Sequence, residues 1–136
     1  DKWLDTPLMS SGNVKDKYAA AVSGIDGLLQ KYGYVREGNI YRVEKESRDT
    51  VALFCHFGVE CILLSHILNS SPVQLWHGFV ALTSSVTTLI TEEREQGKAY
   101  FRCCGFSDSS HLYAGDEPPS FQARFCETYS NFDERH

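Results

Sequence analysis

The sequence lacks a long apolar stretch. Its longest apolar runs are broken at Ser65, His66 and Asn69, short of the roughly 20 residues that cross a bilayer, so no membrane span is expected. It also lacks a basic surplus: 13 Lys and Arg face 18 Asp and Glu, for a formal net charge of −5. That argues against a broad nucleic-acid surface, which needs clustered cations. A small anion is still compatible, because a local pocket can be positive on an acidic protein. An even set of cysteines is missing too. The 5 cysteines are Cys55, Cys61, Cys103, Cys104 and Cys126. An odd count in core-like settings points to free thiols and a reducing, cytoplasmic compartment. Neighbours Cys103 and Cys104 would point to opposite faces of a strand, which argues against a disulfide between them. No signal-peptide pattern, internal repeat or low-complexity tract is visible.

What is present suits one domain. The chain has 136 residues, 42% of them hydrophobic and 23% charged, ordinary for a globular protein able to bury a core. The opening Asp1-Lys2-Trp3-Leu4-Asp5-Thr6-Pro7 does not resemble a natural start, and an N-terminal part is expected to be missing. From about Val14 to Tyr32, the residues Tyr18, Ala21, Val22, Ile25, Leu28, Leu29 and Tyr32 recur at three- and four-residue steps. That spacing predicts an amphipathic helix, with Asn13 as N-cap and Gly33 as its stop. Gly24 and Gly27 cost helix propensity, and close packing on a sheet would explain them. Glu37-Gly38-Asn39 predicts a turn between short strands 34–36 and 40–43.

Residues 50–55, Thr-Val-Ala-Leu-Phe-Cys, are apolar on both faces and predict a central strand. A buried helix is expected to follow from about Val59 to Leu68. Asn69-Ser70-Ser71 should end it, and Pro72 should open a second short helix running to about His77. Strands 85–91 and 98–104 should form a hairpin across a charged loop, Glu92 to Gly97. Beyond Gly105 the chain reads as loop, with aromatics between Phe121 and Phe132 packing on the core or a partner.

This arrangement puts His56 at the carboxyl end of a strand and beside a helix N-terminus. Open α/β sheets bind ligands there, and free N–H groups favour an anion. His56 is therefore the first candidate for a phosphate or oxyanion contact. Gly58 would allow close backbone approach. Ser84 and Ser85, just before a strand, are candidates to line a pocket or to bond loop backbone. Cys55 reads as a core cysteine: a thiolate needs an activating cation or dipole, and the following helix supplies no arginine to close a phosphate-binding turn. The spacing of Cys55, His56, Cys61 and His66 matches no compact tetrahedral zinc pattern. Ser84 or Ser85 with Asp108 and His111 could be drawn as a triad, but no Gly-x-Ser-x-Gly elbow supports one. His77 reads as packing or capping a helix end, His66 receives no role, and neither metal nor cofactor is called for.

Phe54-Cys55-His56-Phe57-Gly58 with its helix resembles the second histidine motif of the histidine phosphatase superfamily, the phosphoglycerate mutase-like proteins. The resemblance continues through Leu64-Ser65-His66-Ile67-Leu68, Pro72-Val73-Gln74-Leu75-Trp76-His77 and Ser84-Ser85-Val86-Thr87-Thr88-Leu89. It covers roughly residues 15–104, and the loop and aromatic tail from Gly105 to His136 are similar to one bacterial branch of such proteins. The resemblance implies an α/β three-layer sandwich, represented here by its C-terminal portion. It also implies phosphomonoester hydrolysis through a phosphohistidine, with mutase activity as a variant. His56 takes the role of second pocket histidine, with Phe57 and Gly58 at the phosphate. The nucleophile belongs to an Arg-His-Gly motif that these residues lack, so this chain alone should be inactive. The expected partner is a small phosphorylated substrate, with a homodimer compatible. A non-catalytic module that binds phosphorylated ligands or pairs with a subunit is the competing expectation.

Overall fold

The computed structural model describes residues 2–120, 129–131 and 133. Their element order begins with a 3-10 turn, Trp3–Asp5, and continues α1 (Pro7–Ser10), α2 (Val14–Lys31), β1 (Tyr34–Glu37), β2 (Ile40–Val43), α3 (Phe57–Ile67), α4 (Pro72–Gly78), β3 (Val86–Glu95), β4 (Lys98–Asp108) and α5 (Ser110–Ala114). The strands form a 4-stranded sheet in the order β1-β2-β4-β3. Strand β2 runs antiparallel to β1 and to β4. The class is mixed α and β, as expected. The chain divides into two compact units, one of Asp1–Phe79 with Thr91–Arg102, the other of Val80–Ile90 with Cys103–His136.

In the first unit the core lies where β2 meets β4. Tyr41 pairs with Ala99, both essentially without solvent exposure, and Tyr34 joins them, with Leu29, Tyr32, Val43 and Phe101 packed around. Phe101 meets Tyr41 and Tyr34 edge-on, at 5.1 and 5.9 Å between ring centroids, the geometry that aromatic quadrupoles favour. A second aromatic group joins Trp3 edge-on to Tyr18 of α2 and to Trp76 of α4.

Local chemistry explains the boundaries. Helix α2 ends as its spacing predicts: Gly33 has φ +93, and its carbonyl accepts from Glu44 N at 2.8 Å. A side chain there would collide with the Lys45 carbonyl. Asn13 stands at the N-cap, but its side chain makes no cap bond; its carbonyl accepts from Lys17 N. A Cβ at Gly24 or Gly27 would meet nothing within 4 Å, so close packing does not account for these glycines. Strands β1 and β2 join through Gly38-Asn39, with Gly38 at φ +59, a glycine where a two-residue hairpin needs one. Helix α3 closes in a Schellman turn: Asn69 takes φ +55, and Ser70 N bonds Ser65 O at 2.9 Å. Pro72 opens α4 at its first position.

Three sequence expectations need correction. The central strand over residues 50–55 is absent. These residues join no sheet, are exposed, and make no backbone hydrogen bond to another described residue. A strand needs partners for its N–H and C=O groups, and nothing among the described residues pairs with this one. The hairpin turn is tighter than predicted. Both strands continue through the charged residues to a two-residue turn, Gln96-Gly97, with Gly97 at φ +78. Glu92 bonds Arg94 and, across the pair, Arg102, and Lys98 bonds Glu95. Those charges form a solvated strand end rather than a loop. In the second unit β4 passes Gly105 and reaches Asp108, whose carboxylate accepts from Ser110 N at 2.8 Å as α5 begins. That bond holds the Asp108 carboxyl below the usual carboxylate range. Of the aromatic tail, residues 121–128 and 132 lie outside those described; Tyr129 is almost fully exposed.

Candidate functional site

His56 is the N-cap residue of α3, with extended backbone (φ −91, ψ 156). Its carbonyl accepts from Val59 N and Glu60 N, each at 3.0 Å. That starts the helix and leaves the N–H groups of Phe57 and Gly58 without an acceptor among the described residues. The imidazole is exposed and makes no hydrogen bond to a described residue. So the predicted neighbours His56, Phe57 and Gly58 do stand at a helix N-terminus, where amides and the helix dipole attract negative charge. The buried strand expected to lead into them is missing. Its residues lie in solvent instead: Phe54 is 98% exposed and Leu53 51%.

Gly58 does not mark a crowded approach. An added Cβ would meet only Trp76 Nε1, at 3.8 Å, an ordinary contact. Cys55, expected in the core, is exposed; partial desolvation by its neighbours still raises its thiol above its usual pKa, with Glu60 adding to the shift. Burial and Glu60 likewise push Cys61 up to about 11. Both shifts disfavour the thiolate, which leaves Cys55 a poor nucleophile.

Ser84 and Ser85 belong to the second unit, whereas His56, Phe57 and Gly58 belong to the first. Ser84 takes φ +63 in a turn, and Ser85 N donates to Leu82 O at 3.0 Å. The turn is tied to β4 by Ser107, whose Oγ accepts from Leu82 N. Their observed setting is loop architecture. His111 lies in α5 and His77 in the last turn of α4, both exposed.

The best-connected polar group in the first unit was not foreseen. The His66 Nε2–H donates to both carboxylate oxygens of Asp26 on α2, at 2.9 Å each. Arg36 of β1 donates through Nη1 to the His66 carbonyl at 3.0 Å, through Nη2 to Asn69 Oδ1, and through Nε to Gly38 O. Its guanidinium also lies over the Tyr41 ring, 4.9 Å from the centroid, within cation–π range. The Tyr41 hydroxyl donates to Asp26 at 3.4 Å. Burial raises the Tyr41 phenol above its ordinary pKa, more than Arg36 lowers it. A carboxylate–imidazole pair can orient a catalytic histidine. Here the groups bonded to the pair among the described residues are the Arg36 guanidinium, at the His66 carbonyl, and the Tyr41 hydroxyl, at Asp26. Arg36 caps one carbonyl in the last turn of α3, that of His66, so the cluster reads as a clamp joining α2, the β1–β2 hairpin and α3. The local sequence held one signal, Asn69 as a left-handed helix stop; Asp26 and His66 are 40 residues apart.

The clefts that the described residues form in this unit include two near these elements. One, of about 330 Å³, is lined by Ser23, Asp26, Gly27, Gln30, Val35 and Arg36. The other, of about 190 Å³, is lined by Tyr34, Glu46, Ser47, Arg48, Thr91 and Glu93. Neither includes His56, Phe57 or Gly58. Among the described residues, no group of three or more His, Cys, Asp or Glu could hold a metal ion, and no helix is long and apolar enough to cross a membrane. The chain matches no known family model, no curated protein and no solved structure.

Proposed function

We propose that this chain supplies the second pocket histidine, His56, of a phosphomonoesterase working through a phosphohistidine. Strands that pair along residues 50–55 would complete the site. The observation that carries the reading is the state of that segment. Six consecutive residues of strand-forming, uncharged sequence have no backbone partner and lead directly to an unpaired imidazole. An exposed edge of this kind is a template for strand addition, and side chains apolar on both faces suit the centre of a covered, parallel sheet. Such a sheet would convert the present arrangement into the phosphoglycerate mutase-like sandwich.

In that setting a phosphate ester would lie at the start of α3. The amides of Phe57 and Gly58 and a ring N–H of His56 would donate to its non-bridging oxygens. Those donors act where the transferring group carries negative charge. The phosphoryl group passes to the nucleophilic histidine as the alcohol leaves with a proton; water then attacks phosphorus and releases inorganic phosphate. The nucleophile and the acid are not assigned to residues of this chain. Hydrolysis of p-nitrophenyl phosphate by the protein in its natural form tests the reading. His56→Ala should lower kcat/KM by at least about 100-fold, the scale for losing one preorganised donor. An undiminished rate overturns it.

A second reading is a non-catalytic pairing module. It is favoured by apolar exposure beyond the segment, at Val86 and Ile90 of β3 and Tyr100 of β4, each 45–51% exposed. It expects Leu53→Lys to abolish association with a partner while no phosphatase activity is found.

A further inference from the structure

We draw no further inference here: the strongest candidate, the cleft between α2 and β1 beside the Asp26–His66 pair, carries nothing, because Asp26 and Arg36 are already bonded to His66, Tyr41, Gly38 and Asn69, and its remaining polar side chains, Ser23 and Gln30, are exposed.

Discussion

Replacing Arg36 with Ala should loosen the first unit more than any other single loss of surface charge. The guanidinium donates to Gly38 O, His66 O and Asn69 Oδ1 and covers the Tyr41 ring. Hydrogen bonds to a charged group contribute roughly 1.5–3 kcal/mol each when buried. The bonds to Gly38 and Asn69 are exposed and count for much less, since solvent competes for them. The His66 carbonyl is partly buried and would lose its partner at the helix end. Adding about 0.5–1 kcal/mol for the cation–π contact, the total is about 2–4 kcal/mol. Against a native stability of about 5–15 kcal/mol, that is a large fraction. Urea unfolding followed by tryptophan fluorescence reads it, since Trp3 and Trp76 both report on this unit. With a urea slope of about 2 kcal/mol/M, inside the usual range for small proteins, the midpoint should fall by about 1–2 M. Arg36→Lys should recover less than half, because one ammonium cannot fork to separated acceptors. A loss under about 0.5 kcal/mol for Arg36→Ala would refute the clamp.

Gly33→Ala should cost about 2–5 kcal/mol in the same assay, combining a left-handed backbone with a collision at the Lys45 carbonyl; Gly58→Ala should cost under about 1 kcal/mol, since its Cβ meets only Trp76 at 3.8 Å. Tyr41 makes stability fall in alkali: its phenol pKa is raised in the folded state, so the contribution is complete below the ordinary value of about 10 and is lost as pH rises through the folded value. Melting temperatures measured between pH 9 and 12 should show that fall, and Tyr41→Phe should flatten it; an identical profile for the variant would contradict the assignment.

Periodicity and turn chemistry made much of the fold legible. Tyr18 to Tyr32 announced α2, Gly33 its stop, Gly38 the first hairpin and Pro72 the start of α4. These features depend on neighbours within a few residues, which sequence displays. The hairpin turn was misplaced because Glu92 to Glu95 look like a solvated loop until Arg102 and Lys98 are seen to pair with them. The segment 50–55 failed for a different reason. Its residues have the composition of a central strand, but a strand exists only where another strand meets it, and none of the described residues does. For the candidate site, His56 and its amide neighbours at a helix start were readable from Cys-His-Phe-Gly before an apolar run. The Asp26–His66–Arg36 cluster was not, because helix and hairpin geometry alone brings those residues together.

The most direct test of the account is an oxyanion titration. In the natural form of the protein, tungstate should shift the His56 imidazole and the Phe57 and Gly58 amide signals in NMR spectra, saturably and competitively with inorganic phosphate. Saturable binding that leaves those three residues unmoved, or no binding at all, would contradict the proposal that His56 meets a phosphoryl group.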